Sequence, residues 1–273
     1  MLEQLKYKNH LNEVYEFGKD GIFVDTNDLH DYEWNMTKKG TRISGLDYGI
    51  AKKKLPVVII CSTEAKGIAA RNKLMEITEK DVLALQHGRI IIGDYYYRCF
   101  VTASAKKEYL TSKRHMTLTL TLNSDFPFWV KETLNTFRAA SEDTGNGLDF
   151  SHDFPFDYYS GLANKTLTNT GFVDSNFRMI IYGACKDPAV HISGHTYQVN
   201  CEVAEGEYLT IDSVTKKIFL TAVDGTVTNV FNLRNRDSYI FEKIPPGGNP
   251  VLWEGNFGVD VILLEERSEP KWI

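Results

Sequence analysis

The chain has 273 residues, 42% of them apolar and 25% charged, which is near the globular average and excludes disorder throughout. That length buries a core without disulfides or a structural metal, as one large domain or two of ordinary size. A formal net charge of -5, with basic residues only in short runs such as Lys52-Lys53-Lys54, argues against a duplex-binding protein, whose affinity comes largely from phosphate contacts.

The start of the chain, Met1 to Val14, is polar and mixed in charge, so it does not read as a signal peptide. No apolar run approaches the length of a membrane span, and folding in a cytoplasm is expected. Residues 21–25 form a short apolar strand. Residues 55–61 are β-branched, with Pro56 suited to an edge or first strand position. From Glu64 to about Glu79 good helix formers dominate, and Gly67, Ala70, Leu74 and Ile77 share one helical face. Thr63 is the expected N-cap. Residues 89–101 form a hairpin on Gly93-Asp94, where Gly first suits a type II′ turn. Met116, Leu118, Leu120 and Leu122 alternate with threonines, the pattern of a half-buried antiparallel strand.

Apolar periodicity then fades from Ala139 to about Gly171, and Ser141 to Gly147 is turn-forming. The expected division is a first domain over 1–137, a connector over 138–170 and a second domain over 171–273. Strand signals recur at 176–182, 189–193, 196–203, 208–212, 217–223, 226–231, 238–244, 250–254 and 258–265. Asp224-Gly225 reads as a type I′ hairpin turn. Turns every eight to twelve residues or so are the mark of a β-sandwich. The fold class is therefore mainly β with one helix.

Few side chains suggest chemistry. None of the four cysteines, Cys61, Cys99, Cys185 and Cys201, forms a C-x-x-C pair, and each sits in or beside an apolar run. Cys185, His191, His195 and Cys201 flank Ser193-Gly194; a hairpin there would bring them toward a zinc site. The spacing matches no familiar zinc pattern, so two turn histidines and two core cysteines are expected instead. The same residues could supply a Cys–His nucleophilic pair, but nothing nearby lowers a thiol pKa. Asp260, Glu265 and Glu266 invite a glycosidase reading, which needs two carboxylates across a cleft; a solvated strand end is simpler. Trp253, with Asn249, Arg236 and Glu254, could form a sugar platform, whereas packing in the core is the expected role. No phosphate loop, dinucleotide fingerprint or nucleophile elbow occurs.

Six phrases in order carry a resemblance. They are Gly88-Arg-Ile-Ile-Ile-Gly-Asp-Tyr-Tyr-Tyr-Arg-Cys-Phe100, Met116-Thr-Leu-Thr-Leu-Thr-Leu-Asn-Ser-Asp-Phe-Pro-Phe-Trp129 and Asp153-Phe-Pro-Phe-Asp-Tyr158. Then come Phe177-Arg-Met-Ile-Ile-Tyr-Gly183, Tyr239-Ile-Phe-Glu-Lys-Ile-Pro-Pro-Gly247 and Glu266-Arg-Ser-Glu-Pro-Lys-Trp272. Together they resemble the distal tail protein (Dit) family of long non-contractile phage tails, over nearly the whole chain.

The resemblance implies a β-sandwich-like first domain that closes a homo-hexameric ring, and a galectin-like second β-sandwich. It implies a virion or prophage tail-tip hub, made in the host cytoplasm, that joins tail-tube protein to a tail-associated hub or lysin protein and to receptor-binding proteins. No catalytic, cofactor-binding or metal residue follows from it, and no membrane or specific nucleic-acid partner. The ordered His–Asn–Arg and Trp–Glu–Arg set of true galectins is missing, since His195 lacks Asn and Arg at the needed offsets and Arg267 comes well after Trp253. A cell-wall carbohydrate-binding module, or a cell-wall glycoside hydrolase, are the alternatives.

Overall fold

The computed structural model describes residues 4–107, 113–139 and 165–271. It is mainly β with one long helix, as the alternation requires. Two compact units divide the chain: Met1–Lys131 with Glu266–Ile273, and Glu132–Glu265. No helix among the described residues is long and apolar enough to cross a membrane.

The first unit contains β1 (Leu5–Lys8), β2 (Val14–Glu16), β3 (Ile22–Val24), β4 (Asn35–Lys39), β5 (Arg42–Asp47) and β6 (Ala51–Ile60). Helix α1 (Glu64–Ala84) follows, then β7 (Gly88–Ile92), β8 (Tyr95–Lys107), β9 (His115–Ser124) and the start of β10 (Trp129–Phe137). One run of strands is β10-β8-β7-β1-β2; another is β3-β6-β9-β8. Strand β8 serves both. It pairs with β7 up to Cys99 and with β9 from Phe100 on, and the β9 pairing shifts register between Val101 and Ala103. Such a bulge bends a strand and increases its twist.

Leu118, Leu120 and Leu122 of β9 face the core with Leu55, Val57 and Ile59 of β6. Tyr95 and Tyr97 are buried in that core, while Tyr96 points to the other face. Pro56 lies inside β6, not at its start. The β3 pairing ends at Val24–Val57, beyond which the Asp25 N–H still donates to the Pro56 carbonyl, so the proline falls at the end of that ladder.

Helix α1 starts at the expected cap, with Thr63 Oγ1 accepting from Lys66 N. It runs five residues past Glu79 to Ala84, and Leu85 ends it in the left-handed region. The buried face is Gly67, Ala70, Leu74 and Ile77, extended by Thr78 and Asp81. A buried aspartate and the exposed Val82 and Leu83 hide the last turn from a periodicity reading.

The second unit adds β11 (Lys165–Asn169), β12 (Asn176–Tyr182), β13 (Cys185–Lys186), β14 (Ala189–Ile192), β15 (His195–Gln198) and β16 (Glu202–Val203). It continues with β17 (Tyr208–Asp212), β18 (Lys217–Thr221), β19 (Val227–Asn229), β20 (Gly247–Trp253) and β21 (Val259–Arg267). Strands β19-β18-β17-β12-β21 form one sheet, and β11-β20-β14-β15 another. Both contribute to one core, through Met179, Ile181, Leu209 and Val261 from the first, and Leu167, Val190, Ile192 and Val251 from the second. This is a two-sheet sandwich.

Several expectations are corrected. Residues 238–244 are not a strand: the chain turns there, with Glu242 N bonded to Tyr239 O, and drops Ile240 and Phe241 into the core. Residues 196–203 split into β15 and β16, because Cys201 N turns back to Val199 O. The hairpin at Asp224-Gly225 exists, but only Gly225 has positive φ. Gly225 N bonds Ala222 O and Ala222 N bonds Thr226 O, giving a three-residue loop instead of a type I′ turn. Strand β11 was expected to be connector; its single core residue, Leu167, leaves no periodicity to detect. Residues 140–164 of that connector, with the Asp153 to Tyr158 phrase, lie outside the described residues.

Candidate assembly surface

The most exposed regular structure is the β4–β5 hairpin. Gly40, with φ of 64°, turns it, and every residue of both strands is exposed. Among the described residues the two strands pair only with each other. Met36 stands opposite Leu46 and, beyond a bulge, Lys38 stands opposite Ile43. Met36, Ile43 and Leu46 are 57%, 59% and 56% exposed, so the hairpin holds out apolar side chains with nothing behind them. An isolated two-stranded ribbon is marginal in water.

Its root is firm. Trp34 and Tyr48, flanking the hairpin, pack with ring centroids 3.8 Å apart at a tilt of 39°, and Tyr48 meets Phe128 edge-on at 4.6 Å. The Tyr48 hydroxyl and Ser268 Oγ lie 2.6 Å apart in a hydrogen bond. Beside the root, Lys53 is almost fully buried. Its ammonium donates to the carbonyls of Asp28, Leu29 and Asp31, and burial lowers its pKa. The apolar residues of 35–47, Met36, Ile43 and Leu46, are too irregularly spaced to signal a strand, because no face of it packs on the core.

A second arrangement invisible in the sequence is buried under α1. Asp81 accepts from the Tyr7 hydroxyl at 2.5 Å and from His10 N at 2.8 Å, and His10 Nδ1 lies 2.6 Å from it. Burial is the main reason that the Tyr7 hydroxyl is held far above its usual pKa.

The sequence candidates do not assemble into a reactive site. Ser193-Gly194 is a two-residue turn with φ positive at both positions. Its register sets His191 opposite Thr196 and His195 opposite Ile192, which puts the histidines on opposite faces. His191 Nδ1 bonds Thr196 Oγ1 at 3.0 Å, and His195 Nε2 bonds the Tyr239 carbonyl at 2.9 Å. Cys185 lies in β13, away from this hairpin, and packs with Cys201 against the core. Burial, then Cys201, pushes the Cys185 thiol up to about 11, the reverse of an activated nucleophile. Among the described residues no group of three or more His, Cys, Asp or Glu is placed to hold a metal.

Asp260 and Glu265 are five residues apart on β21, roughly 16 Å along a strand, and they face opposite sides. Glycosidase carboxylates stand far closer. Asp260 accepts from the Tyr182 hydroxyl at 2.9 Å, and Glu265 is largely buried. Trp253 is a core residue, 2% exposed, with Nε1 donating to Phe257 O at 3.0 Å and the ring against Phe137 at 5.8 Å. Asn249 is clamped by Ser193 Oγ at 2.7 Å and donates to the Pro245 and Gly247 carbonyls. Arg236 is exposed, and Glu254 accepts from Asn256. No sugar platform forms from these four.

No protein-family model and no curated protein matches the chain. Solved structures do. The chain is similar to the Dit protein (gp 19.1) of phage SPP1, described as a paradigm of the hub adsorption apparatus in phages infecting Gram-positive bacteria. That match has a TM-score of 0.57 and 9% identity, over 98% of this chain and 100% of that one. It is also similar to a chain of the phage P2 baseplate in its activated conformation with Ca, at a TM-score of 0.62 and 11% identity, over 99% and 100% of the two chains. The same baseplate with Sr gives 0.61 and 11%, with the same coverage. From end to end, this chain has the fold of phage tail-tip hub and baseplate proteins.

Proposed function

We propose that this chain is a non-enzymatic structural subunit of a phage tail tip, a Dit-type baseplate hub. Six copies close into a ring through the first unit. One side of the ring meets tail-tube protein, and the other meets the tail-associated hub or lysin protein. The Glu132–Glu265 unit serves as a support for receptor-binding proteins. The observation that carries this reading is the correspondence over the full length of both chains, 98% of this one and 100% of SPP1 Dit. A shared single domain would not select a hub so narrowly.

The β4–β5 hairpin supports self-association. A ring needs unlike surfaces on each copy, because rotation about a central axis makes heterologous contacts. A projecting ribbon with apolar Met36, Ile43 and Leu46 is suited to reach a neighbour and to be ordered by it.

The test is to mix the purified full chain with the tail-tube protein of the same gene cluster and view it by negative stain. Discs capping tube ends are expected. Bare tubes beside free chain, at all ratios tried, would sink the reading.

A further inference from the structure

Among the described residues, the first unit carries a row of cations that no carboxylate answers. Lys8 is opposite Arg89 across β1 and β7, and Arg89 is opposite Arg98 across β7 and β8. Like charges set directly opposite destabilise a sheet. The nearby acids are engaged elsewhere. Asp81 holds Tyr7 and His10; Glu13 pairs with Lys80 at 2.8 Å. Asp125 Oδ1 lies 2.8 Å from His87 Nε2, within ion-pair distance though outside hydrogen-bond geometry. Among the described residues, Lys8, Arg89 and Arg98 have no ion pair.

Both arginines are held in place. The Arg89 guanidinium lies over the Tyr96 ring at 4.6 Å, and that of Arg98 over the Phe126 ring at 4.4 Å. Arg98 Nε is closed off from solvent and has no acceptor. The three cations line one cavity of about 380 Å³, with Asn12 and Gln86 on its exposed rim. An unanswered buried donor, on a guanidinium fixed by stacking, is a partner missing from one defined place.

We propose that this cavity binds a phosphoryl group, either free phosphate or a phosphate ester. Two planar guanidinium forks and an ammonium exceed what one carboxylate satisfies. They match a dianion with several acceptor oxygens. The volume leaves room for the group to which the phosphate is esterified.

The test is calorimetric titration of the full chain at low ionic strength, with inorganic phosphate in one arm and a short oligothymidylate in the other. Chloride at matched ionic strength is the control. Saturable binding at one site is expected, weakened about tenfold or more in Arg98→Gln and in Arg89→Gln. Arg98→Lys should recover only part of it, since the charge returns without the fork. Tight oligonucleotide binding lost in the same variants would assign the phosphoryl group to a nucleic-acid backbone; phosphate binding alone would assign it to a free anion or small ester. No binding in either arm, or binding that the variants leave unchanged, overturns the site. The variants should melt at or above the wild-type temperature without anion, because each relieves a like-charge contact. If either arginine variant fails to fold, Lys8→Gln at the strand end gives the same reading.

Discussion

Gly88 has no room for a side chain: a Cβ there would collide with the Tyr7 hydroxyl and the Asp81 carboxylate. Gly88→Ala should therefore lower stability by about 1–3 kcal/mol, seen as an earlier urea midpoint. Trp253 belongs to the core, so Trp253→Ala should cost about 3–5 kcal/mol by the same measurement. Full stability with a selective loss of wall-polysaccharide binding would restore the sugar platform. With its thiol pushed up to about 11, Cys185 should react slowly with iodoacetamide at neutral pH and faster as pH climbs toward that value. Rapid labelling at pH 7 would contradict the burial that raises it. Core aromatics and cysteines were legible in the sequence from their apolar neighbours. Asp81 was not, because a carboxylate on a helix reads as solvent-facing until Tyr7 and His10 are brought over it from β1 and the turn beyond.

At the level of elements, legibility followed packing. Strand β9 was plain because one face is wholly buried and the other is not. Strands β12 and β17 were expected at the bounds they occupy for the same reason. The β4–β5 hairpin and β11 escaped because their side chains do not mark a core face: one is exposed throughout, and the other has one apolar residue. The hairpin also gives the cleanest separation of folding from assembly. Met36, Ile43 and Leu46 touch no core, so changing all three to Asp should leave the melting of the chain within about 0.5 kcal/mol of wild type per site. The same variant should lose association. An unfolded variant would mean that the ribbon supports its own unit.

At the scale of the molecule, composition and alternation made the β-rich character legible, and the ordered phrases carried the likeness to tail hubs. What they left open was where the last strand belongs. Strand β21 runs from Val259 to Arg267, and the residues from Glu266 onward group with the first unit, tied at Ser268 to the Tyr48 hydroxyl. The first unit therefore closes only after residue 268 has been made, and a product cut before Glu266 should lack the Tyr48–Ser268 contact. The proposed function turns on closure of the ring. Its most direct test is the mass of the purified full chain by light scattering across a range of concentrations, for the wild type and for the hairpin variant. A closed multiple of the 31.1 kDa chain, lost in the variant, is expected. A strict monomer at every concentration, unchanged when tail-tube protein is added, would contradict it.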